Sequence, residues 1–198
     1  MKKETIKRRR KEIFEAALKV FAKKGFDKTT MDEIAELIHI SKPALYLYFK
    51  SKDELFFAMV DDRLKDVGNR LNEITQMNIT SIEKLKKLIA SYIDFYRENL
   101  DFFKIVHNIK SQIDIEERTK FKKRFFNKYK NYTEKVSNLI QQCIDEGYLK
   151  NNDKYFYTFS LMGIIGQNIF RSILHNATNY LENISEKIFN LFLKGAGK

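Results

Sequence analysis

Proline occurs once in this 198-residue chain, cysteine once and glycine seven times. The single Cys143 excludes an internal disulfide and a cysteine-based metal site, and it fits a reducing compartment. A free cysteine ordinarily serves as a small helix residue. So few chain breakers, beside many long side chains, favour an all-α protein. No apolar run reaches the roughly 18 residues a membrane span needs. The nearest candidate, YFYTFSLMGIIGQNIF at 155–170, contains Gln167 and Asn168 and runs on into Arg171. The start MKKETIKRRRKE has no apolar core behind its charges, so no signal peptide is read and a cytoplasmic, membrane-free protein is expected. Catalytic signatures are missing too. His39, His107 and His175 have no metal-ligand spacing. There is no glycine-rich phosphate loop, G-x-S-x-G elbow or zinc-helix motif. No enzyme activity, metal or cofactor is expected. No internal repeat or low-complexity linker divides the chain.

Charge is present in excess and unevenly placed. The formal net charge is +11. Residues 1–52 hold 14 Lys or Arg against 7 Asp or Glu, whereas the other 146 residues hold 23 against 19. Such asymmetry points to a polyanionic partner at the N-terminal end, although lysine is common throughout. Lys7, Arg8, Arg9, Arg10 and Lys11 form a basic arm leading into a first helix. Either a DNA backbone neutralises this arm or it is a solvated tail. The helix carries an apolar stripe of Ile13, Phe14, Ala17, Leu18 and Phe21. Gly25 is placed to end it in a left-handed cap, and Phe26 to fold back onto the stripe.

The stretch TTMDEIAELIHISKPALYLYFKSKDEL, residues 29–55, organises the rest. Thr30 and Glu33 have capping-box spacing, and Met31, Ile34, Ala35 and Ile38 recur on one helical face. His39 and Ile40 make a short turn. Ser41 can cap a second helix whose first turn tolerates Pro43. Leu45 and Phe49 point inward, leaving Lys42, Ala44, Tyr46, Leu47 and Tyr48 outside. A short helix, a tight turn and a second helix with a polar and aromatic outer face read as a helix-turn-helix for the DNA major groove.

TTMDEIA, the S-K-x-x-L-Y-x-Y-F run from Ser41 to Phe49, and S-K-D-E-L from Ser51 to Leu55 resemble the DNA-binding domain of the tetracycline-repressor (TetR) family of bacterial transcription regulators. FAKKGFDKTT fits the preceding helix end and turn, and the close resemblance covers roughly residues 8–60. His39 stands where the family has a turn glycine; His tolerates the left-handed region better than most residues. Pro43-Ala44 replaces a Gly-Thr pair at the reading end, which bears on the sequence recognised. The resemblance implies that Lys52, an otherwise ill-placed cation in the first turn of the next helix, contacts a DNA phosphate. On that reading Lys52→Ala weakens binding to all DNA and flattens its salt dependence. Thr30 and Tyr48 are further phosphate candidates. Lys42, Ala44 and Tyr46 are candidates for base edges, with Pro43 and Ala44 packing on thymine methyls. Leu47 belongs to the same surface. Tyr46 and Tyr48 also admit a plain packing role.

From Ser51 and Glu54, a second capping-box pair, a long helix is expected to about Met77. Further helices are expected from Thr80, Asp101, Ile115, Asp153 and Asn183. Within KFKKRFFNKYKNYTEK at 120–135, Phe121, Phe125, Tyr129 and Tyr132 share a face, so a core stripe with solvated lysines is favoured over a second nucleic-acid or membrane surface. The 153–177 helix is apolar on more than one side and needs burial on two. Phe156, Phe159, Gly163, Gly166 and Phe170, with Ile188 and Phe192 of the last helix, are therefore the expected dimer face. The glycines admit a close backbone. The resemblance implies the same dimer and a pocket for a small-molecule effector in the helical body. Phe95, Phe102, Phe103, His107, Phe126, Tyr129 and Gln167 are candidate lining, which suits a hydrophobic or aromatic ligand. Each of them also reads as plain core.

The expected organisation is therefore an all-α chain with a helix-turn-helix DNA-binding domain at 1–52 and an effector-binding and dimerisation domain at 53–198. The expected function is a homodimeric, sequence-specific regulator, repressing from a palindromic double-stranded DNA operator and released by its effector. A ligand-blind architectural DNA-coating protein is the alternative. It would show weak sequence preference and a steep salt slope.

Overall fold

The computed structural model describes residues 2–108, 115–175 and 178–197. Within these it omits the side chains of 2, 3, 106–108, 115–118, 120–122, 124, 125, 178 and 179. The described residues are helical, without a strand: α1 (Lys2–Lys24), α2 (Met31–Leu37), α3 (Lys42–Tyr46), α4 (Lys52–Thr75), α5 (Ser81–Glu98), α6 (Leu100–Asn108), α7 (Ile115–Asp145), α8 (Lys154–Leu174) and α9 (Ile184–Ala196). A 3-10 turn, Thr178–Leu181, precedes α9. They form two compact units, Met1–Arg63 with Asn99–Phe125, and Leu64–Glu98 with Phe126–Lys198. The all-α expectation holds, and each expected helix is present within a few residues of its sequence signals.

The first unit is built on α1, which packs against α2 and α6. Ile13, Phe14, Ala17 and Phe21 are buried from α1. Phe26, just past the helix, lies 5.2 Å from Phe21 and 5.3 Å from Phe56 between ring centroids. The early turn at Gly25 makes this fold-back possible: Gly25 has φ +82°, and its N–H donates to the Phe21 carbonyl at 2.8 Å. The basic segment before Glu12 is not an arm attached to a helix; α1 already begins at Lys2. Arg8 and Arg9 pair with Glu12 at 3.7 and 2.8 Å, and Arg10 lies over the Phe49 ring at 4.5 Å. Ion pairs at helical spacing and the aromatic face offset the repulsion that the charge run suggests.

In the second unit α5 packs on α8 and α9. The buried side chains of this unit include Leu85, Leu88, Ile89 and Ile93 of α5, Val136, Leu139 and Ile140 of α7, Tyr157, Leu161 and Ile165 of α8, and Ile188 and Phe192 of α9. Glu146, just beyond α7, accepts from the Ser81 N–H at 3.1 Å and its hydroxyl at 2.9 Å, so a carboxylate meets the positive end of α5. Phe121 and Phe125 of the anticipated α7 stripe lie outside the described side chains. The buried face passes through Val136, Leu139, Ile140 and Cys143. Tyr129, expected in the stripe, lies at its edge, 37% exposed.

Candidate DNA-reading face, dimer face and cavity

The helix-turn-helix is held by backbone chemistry written in its sequence. Thr30 Oγ1 accepts from the Glu33 N–H at 3.3 Å, and Glu33 Oε2 accepts from the Thr30 N–H at 3.0 Å, completing the capping box. Glu33 also binds Lys24 at the end of α1. These hydrogen bonds, led by that from Lys24, hold its carboxyl below the ordinary value. At the other end of α2, His39 takes φ +54°. Its N–H donates to Glu36 O and that of Ile40 to Ala35 O, at 3.1 and 3.0 Å, the two bonds of a Schellman stop. Histidine thus does the work expected of a turn glycine. Ser41 caps α3 by accepting from the Ala44 N–H. Leu45 and Phe49, 0% and 1% exposed, anchor it from behind. This leaves Lys42, Pro43, Tyr46 and Leu47 exposed and Ala44 and Tyr48 half-buried. Leu47 is 87% exposed, the largest exposure among the described large apolar side chains. Lys42 pairs with Asp32 at 2.8 Å.

Lys52 has a different environment from the one its position suggests. Its ammonium donates to the carbonyls of Phe26, Asp27 and Thr29 at 2.7, 3.1 and 2.9 Å. The Phe26 ring lies beneath it, 4.5 Å to the centroid. The cap beside it also departs from expectation. Ser51 Oγ accepts from the Glu54 N–H at 3.0 Å, but Glu54 accepts from the N–H of Lys50, not of Ser51, at 2.6 Å. The capping box at Ser51 is therefore displaced by one residue on its return bond.

Helix α8 presents two apolar faces. Tyr157, Leu161 and Ile165 are buried within the unit, while Phe156 and Phe159 are 59% and 51% exposed, in line with exposed Gly163, Gly166 and Phe170. The intervals of three and four residues between them make a heptad-like seam. A Cβ built at Gly163 or Gly166 would meet nothing within 4 Å, so packing within the chain does not require their smallness. Ile188 and Phe192 do not belong to this face. They are 2% and 5% exposed, and Phe192 stacks edge-on against Tyr157 at 5.8 Å. The apolar stripe of α9 is used up inside the unit, and Leu191, 60% exposed, is its outward residue.

A cavity of about 40 Å³ lies between α5, α7 and α8, lined by Leu88, Ile89, Tyr92, Tyr132, Val136, Leu161, Met162 and Ile165. A smaller void of about 10 Å³ adjoins it, bounded by Val67, Arg70 and Leu71 of α4, by Ser91 and Phe95 of α5, and again by Leu88, Tyr92 and Tyr132. Tyr92 and Tyr132 thus wall both, with ring centroids 6.4 Å apart. Burial, then a neighbouring tyrosine, pushes both phenols above their ordinary value, keeping them neutral donors. Of the sequence-derived lining candidates, Phe95 borders the smaller void. Phe102 and Phe103 sit in the other unit, Phe126 is 65% exposed, and Tyr129 and Gln167 are exposed. The His107 side chain lies outside the described residues. Periodicity could mark Leu88, Val136 and Leu161 as core but not as cavity wall. Among the described residues no group of His, Cys, Asp and Glu could hold a metal, and no helix is long and apolar enough to cross a membrane.

Comparison with known proteins gives this geometry its context. Residues 13–59 match the bacterial regulatory proteins of the tetR family, and residues 78–168 match the tetracyclin repressor-like C-terminal domain. The HTH-type transcriptional regulator YfiR of Bacillus subtilis is 30% identical over 151 residues, 73% of this chain and 70% of YfiR. YerO of the same organism, also an HTH-type transcriptional regulator, is 29% identical over 87% of this chain, which spans only 56% of YerO. The solved structure of the transcriptional regulator FadR from Bacillus subtilis, in complex with stearoyl-CoA, superposes with a TM-score of 0.75. It covers 93% of this chain and 97% of that one, and at 20% identity this shows a shared fold. With both family matches in chain order and the helix-turn-helix assembled as described, the chain belongs to the tetR family of bacterial regulatory proteins, helix-turn-helix regulators of transcription.

Proposed function

We propose that the chain is a homodimeric repressor that binds a palindromic operator and is released when a small apolar molecule enters the cavity bounded by Tyr92 and Tyr132. One observation carries the DNA-binding part. Helix α3 is capped by Ser41 and anchored by buried Leu45 and Phe49, and so presents Tyr46 and Leu47 to solvent. An apolar side chain 87% exposed on a rigid helix end suits contact with thymine methyls, as do Pro43 and Ala44. Lys42, once exchanged from Asp32, can donate to guanine. Thr30 Oγ1 is an acceptor in its capping box, which leaves its hydroxyl proton for a phosphate; Tyr48 is the other phosphate candidate. Residues 1–52 serve as the DNA-binding domain and 53–198 as the effector-binding and dimerisation domain. The protein acts in the cytoplasm and is not an enzyme.

Two copies meet through the Phe156, Phe159, Gly163, Gly166 and Phe170 seam with Leu191, so that the dimer carries two α3 helices for the two half-sites of a palindrome. At about 40 Å³ the cavity holds a few water-sized atoms, far less than an effector of ordinary size. A ligand must therefore part Tyr92 from Tyr132, join the two voids and bear on Val67, Arg70 and Leu71 of α4. Helix α4 begins at Lys52, beside the helix-turn-helix in sequence. The lining is uncharged around the larger void, which favours an apolar molecule with at most one polar atom for a tyrosine hydroxyl.

Selection of bound duplexes from a random pool at near-physiological salt tests the proposal. An enriched palindrome is expected. Tight binding without enrichment would instead make the protein an architectural, charge-driven binder. That reading is weakened by the pairing of Arg8, Arg9, Lys24 and Lys42 with carboxylates.

A further inference from the structure

Lys52 stands alone among the candidate DNA contacts in having every donor engaged within the chain. An ammonium has three protons and no acceptor. Here three carbonyl oxygens lie within 3.1 Å of Nζ, and the Phe26 ring centroid lies 4.5 Å from it. The three carbonyls come from one loop, 25–30, which links α1 to α2. That loop begins at left-handed Gly25 and contains Thr29, only 2% exposed, whose hydroxyl donates to the Gly25 carbonyl at 2.8 Å. It ends at Thr30, the capping residue of α2. Only one of the three acceptors has a backbone donor as well, the Thr29 N–H to Phe26 O at 3.3 Å.

We propose that Lys52 is a positioning residue, not a phosphate contact: the first residue of α4 staples the loop that sets the start of α2, and so holds the helix-turn-helix in its DNA-binding arrangement. The proposal rests on the DNA-binding reading above. The staple also joins the helix that borders the smaller void to the loop that orients α2. Its chemistry is specific to lysine. Three oxygens converging on one nitrogen suit a tetrahedral ammonium, whereas a guanidinium spreads five N–H groups in a plane. Arginine keeps the charge and the reach toward a phosphate but cannot make the tripod.

This separates the two roles experimentally. The dissociation constant for a duplex would be measured at several salt concentrations for wild type, Lys52→Met and Lys52→Arg, together with hydrogen exchange at the Thr29 and Thr30 amides of the free proteins. A staple predicts that both variants lose tenfold or more in affinity, keep the wild-type salt slope, and exchange faster at these amides. A phosphate contact predicts that Lys52→Arg binds like wild type with protected amides. It also predicts that Lys52→Met lowers the slope by about 0.9, the signature of one lost phosphate contact; that pair of results would overturn the proposal. If Lys52→Met does not fold, Lys52→Arg decides. Failure of both variants to fold supports the staple, because an exposed phosphate contact is dispensable to folding. Absence of DNA binding by wild type would sink the functional reading alone, since the exchange measurement on free protein still tests the staple.

Discussion

Replacing Val136 by isoleucine tests the cavity directly, because the sign of the effect depends on whether the void is there. Val136 is 2% exposed and lines the larger void. Isoleucine keeps the β-branch that fixes its rotamer on a helix and adds one methylene. With room available, burying that group stabilises by about 0.8 kcal/mol. A second route gives a similar figure: at about 24 cal/mol per Å³ of void, the 40 Å³ cavity costs about 1 kcal/mol when empty. The expected gain is therefore about 0.5–1 kcal/mol. Without room, the same methylene overpacks the core and costs about 1–3 kcal/mol. The assay is urea unfolding followed by circular dichroism at one protomer concentration, since association shifts apparent stability, with midpoints compared at a common slope. Leu161→Ala, from the opposite wall and 1% exposed, is the control and is expected to cost about 2–5 kcal/mol. A loss of 1 kcal/mol or more in Val136→Ile would refute the cavity and the effector site built on it. A gain in stability with a weakened response to effector would support both.

Three further outcomes are expected. Phe159→Lys, on a side chain already half exposed in the single chain, should leave helicity unchanged yet give a monomer by sedimentation and at least a tenfold loss of operator affinity; a folded dimer would remove α8 from the interface. Glu33, held below its ordinary value of 4.5 first by the hydrogen bond from Lys24, contributes stability that is present above about that pH and lost as pH falls through its folded value. Glu33→Gln keeps the capping geometry, so its deficit against wild type should shrink between pH 6 and pH 3, and a constant deficit would exclude the charge as its origin. Cys143 is 0% exposed, and burial pushes its thiol up to about 11. A thiol-disulfide reagent at pH 8 should therefore modify it only after urea is added, and prompt labelling of folded protein would show that α7 opens.

The sequence by itself determined the local structure and the reading unit. Caps, stops and apolar spacing are short-range signals. Thr30 with Glu33, the turn at His39, Ser41 before Pro43, and the Leu45–Phe49 pair each act within five residues, and each is found as read. The exposed seam of α8 was legible for a related reason: a helix apolar on two sides reports a second surface whichever partner covers it. Tertiary structure alone decided the rest. Whether Ile188 and Phe192 or Leu191 faces outward depends on how α9 rotates onto α5 and α8, and periodicity gives the stripe without its partner. The cavity wall was illegible because Leu88, Val136 and Leu161 differ from ordinary core only in what fails to touch them, which no local pattern encodes. Lys52 makes the same point most sharply. Its sequence position at the start of a helix asks for an anion, but the fold brings three carbonyls from 23 to 26 residues earlier. An ammonium is satisfied by whichever oxygens reach it first.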